Sequence, residues 1–150
     1  MHEQLFQKFV DSADTLRVYE GDKLVFSSQK DRLLPLMEYL GRFAAAHNEV
    51  VIFDKIIGNA AALLAVKAQC REVFSPLGSE LAMQTLGKYG ITYHFTRTVP
   101  NIQRADGEGM CPMEKLSIGK GPEDFYQIML EKINRAPASG PRLNPTNERR

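Results

Sequence analysis

Residues 49–57 read EVVIFDKII, and this run constrains the fold more than any other stretch of the chain. A continuous β-branched and aromatic run without polar alternation makes a strand buried on both faces. Gly58 and Asn59 follow, and then AAALLAVKAQ over 60–69. Asn59 is a good N-cap, and the Ala-rich segment is apolar nearly all round, which predicts a close-packed internal helix. A doubly buried strand feeding such a helix needs layers on both sides, so the pattern points to an α/β architecture.

The remaining elements fit that frame. Leu5, Phe6, Phe9 and Val10 are spaced for a short amphipathic helix over 3–12. Glu20, Gly21 and Asp22 separate two β-prone runs, 15–19 and 24–27, as a hairpin turn would. A 3.6-residue period over 33–47 predicts a helix with Pro35 in its first turn and His47 near its C-terminal carbonyls. Residues 71–75 read as a short strand and Ser75–Ser79 as a turn, with Ser79 capping a helix that Gly90 ends. Residues 91–99 alternate as a strand with one wetter face. Pro112 and Pro122 each suit a helix start, and Phe125, Ile128, Met129, Lys132 and Ile133 are the expected inner face of the last helix. The order α, ββ, α, β, α, β, α, β, α, α predicts a three-layer α-β-α fold with a mixed sheet and an N-terminal hairpin.

Length and charge set the outer limits. The 150 residues suit one domain, here 1–134, with a disordered basic tail over 135–150. That tail holds four Arg against one Glu, a net +3, so the body carries −2 within a total of +1. A body of that charge gives no footprint for nucleic acid. No apolar run reaches membrane-spanning length, and the N-terminus lacks signal-peptide character, which points to a cytoplasmic protein without a membrane partner. Cys70 and Cys111 form no Cys-x-x-Cys motif, and no His pair has metal spacing, so neither a metal site nor another cofactor is expected.

Chemistry concentrates at Cys111. It sits at the predicted N-cap of the helix opened by Pro112, behind Gly107 and Gly109. Free N–H groups and the helix dipole favour an anion there, so the position favours a reactive thiolate. Cys111 is therefore the candidate nucleophile or redox thiol, although free Cys also serves as a small buried hydrophobe. Asp54 and Lys55 interrupt the apolar strand near its carboxyl end, where α/β folds place their ligands. With Asn59 and Glu114 they make the candidate ligand-binding set. His94 reads as a half-exposed strand residue, and Lys120 between two glycines lacks the phosphate-loop pattern.

The runs GNAAA over 58–62 and GMCPMEK over 109–115, with the order of elements, resemble an uncharacterised bacterial family of the cytidine-deaminase-like superfold. The similarity extends over about 15–134. Zinc deaminases carry His/Cys-Ala-Glu at one helix start and Pro-Cys-x-x-Cys at the next. Aligned by element order, the first motif falls on Asn59, Ala60 and Ala61, and the second on Pro76 to Glu80. The proton-shuttling Glu becomes Ala61, and the two cysteine ligands become Leu77 and Glu80. The resemblance thus implies the fold without classical zinc deamination. In such a fold the two helix N-termini face the ligand, and Asp54, Lys55, Asn59 and Cys111 would line one pocket.

Three functions remain open from the sequence. One is a non-zinc module that binds a small molecule or is capped at Cys111 by a low-molecular-weight thiol. Another is a cysteine-dependent enzyme acting on a nucleotide-like or amide substrate. The third is a non-catalytic homodimer built through the N-terminal helix and a sheet edge.

Overall fold

The computed structural model describes residues 2–43 and 46–135. In chain order the elements are α1 (His2–Val10), β1 (Leu16–Glu20), β2 (Lys23–Ser28), α2 (Leu34–Phe43), β3 (Val50–Asp54), α3 (Asn59–Lys67), β4 (Cys70–Ser79), α4 (Glu80–Lys88), β5 (Thr92–Val99), α5 (Pro112–Ser117) and α6 (Pro122–Arg135). The five strands form one mixed sheet in the order β2-β1-β3-β4-β5. β1 is antiparallel to both β2 and β3, while β3, β4 and β5 run parallel.

Strand alternation divides the core between two faces. Leu16, Val18, Val50, Ile52 and Val73 face one side, under α2, α3, α4 and α6. Tyr19, Val51, Phe53 and Phe74 face the other, where α1 lays Phe6 and Phe9 across them. Every residue of β3 is buried, as its unbroken apolar sequence requires. α3 is buried from Asn59 through Ala65, and small alanines let α4, α5 and α6 pack around it. Among the described residues no helix is long and apolar enough to cross a membrane.

Several expectations need correction. β4 continues through the expected turn to Ser79, and Leu77, Gly78 and Ser79 pair with β5. Pro76 supplies no N–H, but Ser75 Oγ bridges the step by accepting from Leu77 N–H and donating to Leu77 C=O. Gly78 allows the passage, because a Cβ there would lie 2.1 Å from the Phe95 ring. α2 does not reach His47, which lies outside any helix with its ring against Tyr39 and Phe43. The inner face of α6 is Phe125, Tyr126, Met129 and Leu130, rotated from the expected one. Arg135 belongs to α6 and pairs with Glu131 at 3.1 Å, so the helix runs one residue into the expected tail. The rest of that tail, 136–150, lies outside the described residues.

Candidate functional site

The carboxyl ends of β3 and β4 bring two helix starts together. Ile57 N–H donates to Leu77 C=O at 2.9 Å and Ser79 N–H to Ile57 C=O at 3.0 Å, which sets the starts of α3 and α4 side by side. Ser79 is the N-cap of α4, its hydroxyl accepting from Ala82 N–H at 3.0 Å. The N-cap of α3 is Gly58, which has no side chain to offer, and Asn59 is the first helical residue.

Glu114 supplies the missing cap from α5. One carboxylate oxygen accepts from Asn59 N–H at 2.5 Å and the other from Ile102 N–H at 2.8 Å. A carboxylate at the positive end of a helix is the arrangement that the dipole and free N–H groups favour. Glu114 is 2% exposed, so the anion position at the start of α3 is filled by the chain itself. Gly58 makes room for it, since a Cβ there would stand 2.6 Å from the Glu114 carboxylate and 2.7 Å from Ile102.

Asn59 is equally committed. Its side-chain amide donates to Ser117 Oγ at 2.9 Å and Ser117 C=O at 3.3 Å, and its oxygen accepts from the Thr85 hydroxyl. Ser117 Oγ in turn donates to Glu114 C=O at 2.6 Å. These competing partners, together with the lack of room for a Cβ at 58, are why Asn59 enters the helix and does not cap it.

Cys111 is the N-cap of the six-residue α5, with Pro112 in the first turn. Its N–H donates to Ile102 C=O at 2.8 Å, and Ile102 packs against Gly58. The Cys111 loop therefore reaches the start of α3 through Ile102 and Glu114. The thiol itself makes no capping hydrogen bond and is half-buried.

Asp54 and Lys55 part company. Asp54 ends β3 on the face shared with Ile52, is 8% exposed, and accepts from Ile56 N–H at 3.4 Å. Burial pushes its carboxyl up to about 7, against the smaller opposing pull of the Ile56 and Lys55 N–H groups and the Lys55 charge. Lys55 turns to the α1 face, where its ammonium donates to Ser12 C=O at 2.8 Å and lies 4.9 Å above the Phe9 ring. Strand alternation enforces this split, so the expected single pocket does not form around both residues. Of the predicted set, Asn59 and Glu114 meet directly, Cys111 adjoins them through Ile102, and Lys55 is elsewhere.

An open cleft of about 610 Å³ lies along β5, bordered by Phe6, Phe74, Met83, Tyr93, His94 and Phe95. None of the predicted site residues borders it. The three histidines are engaged away from Cys111: His2 with Gly21 C=O, His47 among Tyr39 and Phe43, and His94 with Glu72 at 2.6 Å. Among the described residues no group of three His, Cys, Asp or Glu side chains is placed to hold a metal ion. Sequence reasoning missed Gly58, Thr85, Ile102 and Ser117. Only the spacing of Cys111, Glu114 and Ser117, three residues apart, hinted that α5 turns one face towards a partner.

None of the curated proteins matches the sequence. The crystal structure of a DUF1893 family protein, TM1506 from Thermotoga maritima, is similar to this chain at a TM-score of 0.75 and 28% identity. The match covers 87% of this chain and 86% of that one. The family model described as TM1506, domain of unknown function (DUF1893), matches residues 5–133, so the chain belongs to the DUF1893 family.

Proposed function

We propose that this protein is a deaminase-like binding module without zinc chemistry, which takes a small ligand at the carboxyl end of β3 with Asp54 as its anchor. The observation that carries this reading is a buried carboxyl with no side-chain partner among the described residues, at the strand end where α/β folds recognise ligands. With its carboxyl pushed up to about 7, Asp54 is part protonated at neutral pH and can both donate and accept a hydrogen bond. That pair of roles matches the amide or amidine edge of a small planar heterocycle.

The deaminase-like part of the proposal is supported by strand order, by the antiparallel hairpin leading into three parallel strands, and by two adjoining helix starts. Zinc deamination is disfavoured by residue type. Asn59, Leu77 and Glu80 stand where the resemblance implies metal ligands, and Ala61 where it implies the proton-shuttling Glu. Asn59 is besides already bonded to Ser117 and Thr85.

A second reading rests on the uncapped, half-buried thiol of Cys111. Its thiolate would attack a low-molecular-weight disulfide, forming a mixed disulfide and releasing one thiolate. The cysteine-enzyme alternative finds less support, because among the described residues no histidine is hydrogen-bonded to the thiol.

The test is calorimetric titration of the full chain with cytosine, adenine and nicotinamide, beside the Asp54→Asn variant. Saturable binding by the wild type that weakens at least about tenfold in the variant is expected. Equal binding by both proteins, or no binding of any probe, sinks the reading.

A further inference from the structure

The two edges of the sheet differ in how they are protected. The β2 edge is blunted: the strand has six residues, begins with Lys23, and its pairing with β1 shifts register between Val18 and Tyr19. A lysine and an irregular ladder are devices that discourage strand addition. β5 has none of them. It runs eight residues, TYHFTRTV, without Pro, Lys or Gly, and follows β4 without a register shift. Among the described residues no backbone group bonds to its outer edge. A long, regular, β-branched and aromatic edge is a template for another strand.

We propose that β5 is the homodimer interface, pairing antiparallel with β5 of a second copy to extend the sheet across both subunits. A two-fold axis perpendicular to the sheet keeps each residue on its own face, so paired residues must both be odd-numbered or both even-numbered. Centred on Phe95, the pairing sets Phe95 against the partner's Phe95 and Tyr93 against the partner's Arg97. It sets Thr92 against the partner's Thr98 and His94 against the partner's Thr96. Aromatic pairs, a cation over an aromatic ring and threonine pairs are the cross-strand contacts that stabilise sheets.

Charge agrees with self-association. Arg97 has no ion-pair partner among the described residues, and this pairing gives it the face of a tyrosine. His94 is already met by Glu72 on its own subunit, so it brings no unmatched cation to the seam. The net charge of +1 opposes contact between copies only weakly. The open cleft bordered by Phe74, Tyr93 and Phe95 runs along the same strand, so a partner strand would border it too.

The experiment is sedimentation equilibrium on the full chain, beside a Thr96→Lys, Thr98→Lys double variant whose folding is verified by circular dichroism. Both threonines are exposed, so the lysines burden only the edge. The wild type is expected at twice the 16.9 kDa chain mass, with the dissociation midpoint of the variant raised at least about tenfold. A monomeric wild type, or a dimer that the folded variant preserves, overturns the proposal. Should the double variant fail to fold, Phe95→Cys in a Cys111→Ser background replaces it. A disulfide-linked dimer on mild oxidation supports the pairing, and a chain that stays monomeric under the same oxidation refutes it.

Discussion

At Gly58 a single missing methyl decides how two helices meet. Gly58→Ala would drive a Cβ into the Glu114 carboxylate and Ile102, two contacts below 3 Å. The expected loss is about 1–3 kcal/mol of stability, read by chemical denaturation. Glu114→Ala removes the partner of two amide groups at once, Asn59 N–H and Ile102 N–H, and should cost about 2–4 kcal/mol. Glu114→Gln retains one acceptor oxygen and should cost less, which separates hydrogen bonding from volume. The two thiols diverge as sharply. Burial raises Cys70 to about 12, whereas Cys111 is half-buried on a loop. Mass spectrometry after brief alkylation of the native protein should therefore show one adduct, at Cys111, with Cys70 reacting only after denaturation. The position of Cys111 before Pro112 was legible in the sequence, because proline fixes a helix start through local geometry alone. The cap on α3 was not, because Glu114 arrives from 55 residues away.

At the scale of elements, α1 shows how packing decides what propensity leaves open. A nine-residue helix is marginal in isolation, so its stability comes from Phe6 and Phe9 on Phe53 and Phe74. Phe9→Ala should cost about 3–5 kcal/mol and lower the thermal midpoint, while Gln4→Ala, on the exposed side, should be nearly neutral. Helices and strands with strong periodicity or apolar runs were legible: α1, the β1–β2 hairpin and α4 fall where the sequence places them, within about two residues, and β3 starts where expected but ends at Asp54, three residues before the apolar run does. β4 was not, since Pro76 and Gly78 read locally as a turn and only the neighbouring β5 reveals a strand. The rotation of α6 has the same origin. Its buried face is chosen by α3, which contacts it.

For the whole molecule, Asp54 couples stability to pH. Its carboxyl ordinarily titrates at 3.8 and is raised to about 7 in the fold by burial. The native state therefore holds its proton more tightly than the unfolded chain, and ionising it costs stability. That cost is absent below 3.8, grows as pH rises, and is complete above about 7. Asp54→Asn should accordingly raise the thermal midpoint, with a gain that widens between those pH values and then levels off. The ceiling is about 4 kcal/mol. A variant that is more stable yet no longer binds ligand would show a site kept at the expense of stability. The α/β architecture was legible because it follows from the pattern of β3 and α3, whereas the grouping of the candidate residues was not, because strand parity separates Lys55 from Asp54 and Asn59 meets Glu114 and Ser117 only through tertiary packing. The clasp between α3 and α5 also has a consequence for synthesis. Asn59 leaves the ribosome 55 residues before Glu114 and 58 before Ser117. At roughly 5–20 residues per second, the first turn of α3 waits on the order of 3–11 s for its partners. Throughout that interval the start of α3 lacks the carboxylate and hydroxyl that hold it in the folded protein, so this apolar helix is secured only once α5 has been made.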